Sequence, residues 1–157
     1  MSVEVERAFV APHPPARANL GAGRRMRQGY VAREAEVEVR LRITEDDARL
    51  TVKAGRGLVR TEVELPLDAG QADALWDHTA GRRLVKTRYR VPVGDHTAEV
   101  DIYEEDLAGL CRIEVEFASA AAAGAFQPPD WFGVEVTDDP RWSNASLARH
   151  GRPDGPA

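Results

Sequence analysis

The sequence predicts a protein dominated by β-structure: an α+β chain built on an eight-stranded antiparallel closed β-barrel, with a few short helices outside it. Three observations support this prediction. Apolar and charged residues alternate with a period of two in one stretch after another, as in strands with one polar face. Most of these stretches are joined by turns, which favours antiparallel pairing. Their polar faces are nearly all charged, and closing the sheet would enclose those faces and remove exposed edges.

The predicted strands cover about 3–10, 25–32, 36–43, 48–54, 58–65, 83–91, 97–103 and 110–118. The clearest is 36–43, in which four aliphatic residues alternate with Glu36, Glu38, Arg40 and Arg42. A tight turn is predicted at Gly55-Arg56-Gly57, so 48–54 and 58–65 should form a hairpin. The Pro-, Ala- and Gly-rich stretch 11–23 predicts an irregular connection.

Helices are expected at 68–80, 119–126 and near 142–150, with 131–136 extended. The first has the residues of a capping box, Asp68 followed three positions later by Gln71, and Gly81 ends it. Since short helices must cover the outside of the barrel, Trp76, Trp131 and Trp142 are expected to pack there.

Length and composition narrow the class of protein. A chain of 157 residues is long enough for one domain, predicted over 1–150, followed by a disordered tail over 151–157. The net charge of −5 argues against a nucleic-acid-binding polycation. The single cysteine, Cys111, excludes a framework of disulfide bonds. We expect its thiol to be buried in the core. The sequence has neither a long apolar run nor a signal peptide, so we expect a soluble cytoplasmic protein without a membrane partner.

Pairs of glutamates at two-residue spacing are candidate metal ligands. Glu4 and Glu6 share one face of their strand, and Glu114 and Glu116 share one face of theirs. Carboxylates about 7 Å apart along a strand can share a hard cation through oxygen ligands. The alternative is an ordinary solvated strand face. For Glu62 and Glu64 the alternatives are metal binding and neutralisation of a basic wall.

Basic residues with the same spacing are candidate ligands for phosphate. Arg40 and Arg42 are the strongest, because a guanidinium is always charged and binds phosphate oxygens in pairs. The alternative is a ladder of ion pairs with neighbouring strands, and both arrangements can hold together. Lys53, Lys86 and Arg88 are further candidates.

These strands resemble the CYTH-domain proteins, also called triphosphate tunnel metalloenzymes. The N-terminal Glu4-Val5-Glu6-Arg7 resembles the Glu-x-Glu-x-Lys signature of that family. Further similar pieces follow in the family's order, and together they extend the resemblance over about residues 3–148: Gln28-Gly29-Tyr30, Val39-Arg40-Leu41-Arg42, Leu50-Thr51-Val52-Lys53, Glu62-Val63-Glu64, Lys86-Thr87-Arg88-Tyr89, Glu99-Val100-Asp101, Ile113-Glu114-Val115-Glu116-Phe117, Val134-Glu135-Val136-Thr137 and Trp142-Ser143-Asn144.

The resemblance implies an eight-stranded tunnel that binds a triphosphate with Mg²⁺ or Mn²⁺ and hydrolyses its terminal phosphoanhydride. It implies that the paired glutamates bind metal, with Asp101 as a ligand or a supporting carboxylate. The substrate would be inorganic tripolyphosphate or a small organic triphosphate, and no nucleic-acid partner is expected. Adenylate cyclases also belong to the family, but the chain has no evident base-recognition motif.

Ala8 stands where the family signature has a lysine that is tied to catalysis. The catalytic residue is therefore left unassigned. Ala8 suggests either divergence toward weak activity or non-hydrolytic binding of triphosphate or polyphosphate, or a deliberate substitution. We expect Ala8→Lys to raise turnover by at least about tenfold, with a smaller effect on binding, because it adds a positioned charge.

Overall fold

The structure, a computed structural model, describes residues 4–55 and 61–155. Position 3 of the first predicted strand, 58–60 of the fifth, Arg56 and Gly57 of the predicted turn and the last two residues of the tail lie outside these ranges. Nine strands are found in the described part of the chain: β1 Val5–Ala11, β2 Gly23–Glu34, β3 Val37–Thr44, β4 Ala48–Ala54, β5 Thr61–Pro66, β6 Arg83–Val93, β7 His96–Tyr103, β8 Cys111–Phe117 and β9 Val134–Glu135.

All nine strands form one antiparallel sheet in the order β5-β4-β3-β2-β6-β7-β8-β1-β9. The mostly antiparallel architecture with few helices confirms the predicted class. The prediction of eight strands closed into a barrel is not confirmed, because the strand order is open and no ladder joins β1 to β5 among residues 4–55 and 61–155. The ninth strand is only two residues long and pairs with β1 at Phe9 and Val10.

The sheet is nevertheless strongly curled, so that its first and fifth strands approach each other. Glu4, just before β1, and Glu62 and Glu64 on β5 line the same cavity. A curled sheet has an inner and an outer face, and alternation assigns successive residues of each strand to the two faces in turn. The charged residues of the alternating pattern are on the inner face, which places them in one enclosed space.

The outer face is covered by short helices: α1 Ala69–Trp76, α2 Ala120–Ala125 and nearby 3-10 turns. Its core includes Phe9, Ile113 and Val115, with Trp131 packed against it. Trp76 lies against the outside between the guanidinium groups of Arg27 and Arg83, whose central carbons are 4.9 and 4.5 Å from the ring centroid. The outside positions predicted for Trp76 and Trp131 are confirmed.

Trp142 lies inside the curl, so its predicted outside position is wrong. Its side chain is 1% exposed and belongs to a second apolar cluster with Leu147 of α3 Asn144–His150. The strand residues of this cluster, among them Ala8, Val10 and Leu84, belong to the inner face. The C-terminal segment therefore fills the part of the interior where the strands present apolar instead of charged residues.

The helix predictions at 68–80, 119–126 and near 142–150 each correspond to a helix, with a 3-10 turn continuing α1. Asp68 and Gln71 form the predicted capping box. The stretch 131–136 was predicted to be extended, and only part of it is. Its beginning lies in the 3-10 turn Asp130–Phe132. In the described ranges, no helix has both the length and the apolar character that a membrane span requires. The single domain over 1–150, the disordered tail and the cytoplasmic location stay predictions.

Candidate active site

The curled sheet encloses a cavity of about 330 Å³, here called the main cavity. Its lining brings together most of the residues singled out by alternation, from six strands and the residue just before β1. The predicted residues in this lining are Glu4, Glu6, Arg40, Arg42, Lys53, Glu62, Glu64, Arg88, Glu114 and Glu116. Antiparallel pairing aligns these positions; Glu6 lies directly opposite Glu116 on β8. Their individual roles as metal or phosphate ligands stay predictions.

Crowded carboxylates dominate one wall of the main cavity. Burial raises the pKa of Glu4; Lys53 opposes this rise, and Glu62 and Glu116 add to it. Burial also raises the pKa of Glu6, with Arg112 and Lys53 as the opposing charges. The raised pKa values come mainly from burial, and the neighbouring carboxylates add to them. Protons or an added cation would relieve the repulsion.

This donor set suits Mg²⁺ or Mn²⁺ in its chemistry, since carboxylate oxygens are the ligands that such hard cations prefer. Glu62 and Glu116 are the acidic neighbours that add to the raised pKa of Glu4, so a cation bound beside Glu4 would be stabilised by several carboxylates. Within 4–55 and 61–155, however, no three His, Cys, Asp or Glu side chains converge as the ligands of one ion would. The carboxylates would have to turn toward a common ion to bind it.

Arginines form the opposite wall, and only some of their hydrogen-bond donors have partners within the described ranges. Arg42 donates from Nε to Gln28 at 3.1 Å, and burial lowers the pKa of Arg42 to about 10, with Arg40 and Arg88 contributing. Arg40 has a long contact of 3.4 Å to the Thr51 hydroxyl, while its buried Nε has no hydrogen-bond partner in the described part of the chain. Donors without partners beside an enclosed space favour an anionic ligand there.

Lys86 and Asp101 are absent from the lining of the main cavity and lie behind it as a buried ion pair. Lys86 Nζ donates to Asp101 at 2.6 Å, and the side chains are 0% and 1% exposed. Burial lowers the pKa of Lys86 well below its usual value against the opposing effect of Asp101. Lys86 Nζ also donates to Asn144 of α3 at 3.3 Å. In this arrangement the pair faces protein groups, and direct contact of either residue with a ligand stays a prediction.

A second cavity, here called the basic chamber, adjoins the main cavity. The two share Arg42, Glu64, Arg88 and Glu99. Five arginines and three acidic residues line the basic chamber: Arg24, Arg42, Arg49, Arg88, Arg90, Asp47, Glu64 and Glu99. By contrast, eight glutamates and five basic residues line the main cavity among the described residues. The enclosed space therefore changes from net acidic to net basic along its length.

Sequence reasoning missed several lining residues: Tyr30, Glu38, Glu99, Arg112, Ser143, Asn144 and Ala145. Glu38 precedes Arg40 by two residues, and Arg112 precedes Glu114 by two, so the same alternation was the available signal. The residues 143–145 carry no such signal, because they reach the cavity through the packing of the C-terminal segment. Cys111 is buried, as predicted, and burial raises its pKa to about 12.

Two curated relatives match almost the whole chain. It is 42% identical over 148 residues to an inorganic triphosphatase of Nitrosomonas europaea, covering 92% of this chain and 96% of the relative. An inorganic triphosphatase of Acetivibrio thermocellus is 33% identical over 152 residues and covers 96% of both chains. The chain belongs to the CYTH, or triphosphate tunnel, family.

Solved structures agree with this membership of the triphosphate tunnel family. A crystal structure of an inorganic triphosphatase superposes with a TM-score of 0.73 at 38% identity, covering 95% of this chain and 96% of the other. No model of a known protein family matches the sequence. Most of the charged residues in the motifs that carried the resemblance line the main cavity.

Arg40 offers a direct test of phosphate binding in this triphosphate tunnel protein. We expect Arg40→Ala to weaken tripolyphosphate binding about tenfold, the effect of losing one hydrogen bond to a charged group. Orthophosphate binding should fall less, because the longer anion engages more of the arginine wall. The KM for tripolyphosphate and the inhibition constant of orthophosphate, both measured in the presence of Mn²⁺, give the two losses.

The matched control for Arg40 is Arg25→Ala. Arg25 is also on a strand, but it lies outside the main cavity and pairs with Glu104 at 2.9 Å on the surface. It should leave both affinities unchanged. Equal losses of tripolyphosphate and orthophosphate binding in Arg40→Ala would contradict a cavity that distinguishes anion length.

Proposed function

We propose that this protein is a metal-dependent hydrolase that cleaves inorganic tripolyphosphate to pyrophosphate and orthophosphate. The observation that carries the proposal is the main cavity, with a carboxylate wall and an arginine wall facing across one enclosed space. Both curated relatives bear the name of this activity. The triphosphate ion would bind in the main cavity, with the curled sheet surrounding it as a tunnel.

Chemistry of this type depends on positioning and charge neutralisation more than on a covalent nucleophile. Arg40, Arg42 and Arg88 would hold and orient the phosphates from one side, and Lys53 would do so near the carboxylates. Glu4, Glu6, Glu114 and Glu116 would hold Mg²⁺ or Mn²⁺. The bound ion would neutralise phosphate charge and lower the pKa of the attacking water. Attack of water on the terminal phosphorus would break the bond between that phosphorus and its bridging oxygen, so that orthophosphate and pyrophosphate form and the proton of the water passes to solvent.

An inorganic substrate fits the lining better than a nucleotide. Of the seventeen residues recorded in the lining, Tyr30 is the sole aromatic one. Tyr30 is 3% exposed, and its hydroxyl accepts from Gln28 at 2.9 Å. Recognition of a base commonly uses stacking on an accessible aromatic ring, and the described lining does not offer one.

The test is phosphate release from tripolyphosphate, ATP and pyrophosphate with Mg²⁺ or Mn²⁺, and with EDTA as the metal-free reference. We expect tripolyphosphate to be the preferred substrate, and EDTA to abolish release. The alternative suggested by Ala8 is a binder of triphosphate or polyphosphate that does not hydrolyse it. Binding of tripolyphosphate without release of phosphate would establish that alternative and contradict the proposed reaction.

A further inference from the structure

Arg112 is an unassigned cation in the wall of the main cavity. It lies on β8, two residues before Glu114, and its side chain is 8% exposed. One terminal nitrogen donates to a carboxylate oxygen of Glu114, while its buried Nε has no hydrogen-bond partner among residues 4–55 and 61–155. An unused donor on a buried guanidinium costs free energy unless a ligand or a rearrangement supplies an acceptor.

The neighbouring strand contributes no cation at this level. In the β1–β8 ladder Ala8 lies opposite Glu114, and Val10 lies opposite Arg112. Both β1 residues belong to the apolar cluster around Trp142. Arg112 is also the strongest positive charge acting on Glu6. The positive charge beside Glu6 and Glu114 therefore comes from β8 and not from β1.

A structural arginine in this fold has a different environment. Arg7, on the outer face, donates to the backbone carbonyls of Ala123 and Phe126 at 2.9 and 3.0 Å and pairs with Glu135. These contacts tie α2 to the sheet. The recorded partner of Arg112 is instead a carboxylate of the cavity wall, and Arg112 itself lines the cavity. Its contacts are those of a residue that exchanges partners when a ligand arrives.

We propose that Arg112 is a phosphate-binding residue that pairs with Glu114 in the empty cavity and with a triphosphate oxygen in the loaded one. This inference rests on the proposed function. A divalent cation and the guanidinium compete for the same oxygens of Glu114, so metal binding releases Arg112. The released guanidinium has a planar set of donors that suits phosphate oxygens.

The proposal gives Arg112→Ala two effects of opposite sign. The kcat/KM for Mg²⁺-tripolyphosphate should fall at least about tenfold, because a hydrogen bond between charged groups is lost. The affinity for Mn²⁺ alone, measured by calorimetry without substrate, should rise, because no cation competes for Glu114. A merely structural role would lower both quantities together with the melting temperature. Arg25→Ala is the matched control and should change neither.

The double variant Ala8→Lys/Arg112→Ala tests whether position matters or only charge. A lysine at position 8 would start directly opposite Glu114, with Cβ atoms about 5 Å apart. It should recover part of the lost kcat/KM and return Mn²⁺ affinity toward that of the parent. In the parent background Ala8→Lys should bring little gain, since Arg112 already supplies the charge. This replaces the tenfold increase expected from the sequence.

Unchanged kcat/KM in a folded Arg112→Ala protein would overturn the proposal, as would a fall in Mn²⁺ affinity. If Arg112→Ala does not fold, Arg112→Lys retains the charge without the planar donor set, and an intermediate loss of kcat/KM is then expected. Parent rates from Arg112→Lys would count against phosphate binding by the guanidinium. If the parent itself releases no phosphate, the proposed function fails, while calorimetry of Mn²⁺ and of tripolyphosphate with Mn²⁺ still tests Arg112.

Discussion

Glu116→Gln is expected to lower metal-dependent tripolyphosphate hydrolysis about 100-fold, equivalent to ~2.7 kcal/mol of transition-state stabilisation. Glu116 lies opposite Glu6 and lines the main cavity. A neutral amide has nearly the same shape but is a much weaker ligand for a hard cation. The measurement is the initial rate of phosphate release at saturating tripolyphosphate over a titration of Mg²⁺.

The control for Glu116 is Glu105→Gln, on an exposed 3-10 turn outside the recorded lining. It should behave like the parent. Removing the Glu116 charge should also lower the raised pKa values of Glu4 and Glu6, to both of which it contributes. The acidic limb of the residual activity should then shift to lower pH. An unaltered Mg²⁺ titration in Glu116→Gln would exclude this carboxylate as a metal ligand.

Asp101→Asn is expected to reduce the free energy of unfolding by about 3–5 kcal/mol, the usual cost of removing one partner from a buried ion pair. Asp101 accepts from Lys86 at 2.6 Å and from two nitrogens of Arg88 at 2.7 and 2.8 Å. An amide cannot neutralise these two cations, and Lys86 is fully buried. Urea unfolding followed by circular dichroism measures the change.

The exposed pair of Asp46 and Arg24 provides the control, and Asp46→Asn should leave stability nearly unchanged. The effect of Asp101 also depends on pH. Burial alone would raise the pKa of Asp101, but Lys86 and Arg88 outweigh burial and hold it well below its usual range. The stabilisation is therefore present above the unfolded pKa of about 3.9 and is lost only in stronger acid. Equal stability of Asp101→Asn and the parent at pH 7 would contradict this account.

The alternation of apolar and charged residues predicted which side chains share the inner face, because this alternation is a local property of each strand. Glu6, Arg40 and Glu114 follow from their own neighbours in sequence, and the structure places all three around one cavity. Alternation alone could not separate Lys86 from Arg88, two residues apart on the same face of β6. Only Arg88 reaches the main cavity, whereas Lys86 is enclosed by Asp101 and Asn144.

Other features depend on contacts between distant parts of the chain. The strand order is open because β1 pairs with β8 and β9, and not with β5, among the residues that the structure describes. The sequences of these strands do not reveal which strand pairs with which. Trp142 has the apolar character of an outer-face residue, yet it packs against Ala8 and Val10 inside the curl. In both cases the contacting residues are more than forty positions apart in the sequence. A pattern of neighbouring residues therefore could not predict these contacts.

The change of charge between the main cavity and the basic chamber determines an order of addition. The main cavity, with its eight glutamates, repels a free triphosphate. The adjoining basic chamber, which has five arginines and three acidic residues, attracts it. A triphosphate already complexed with a divalent cation carries less negative charge and can pass Arg42 and Arg88. We therefore expect the metal complex to be the substrate, and uncomplexed triphosphate to act as a competitive inhibitor bound in the basic chamber. The rate at fixed Mg²⁺ should therefore pass through a maximum and decline once tripolyphosphate exceeds the metal.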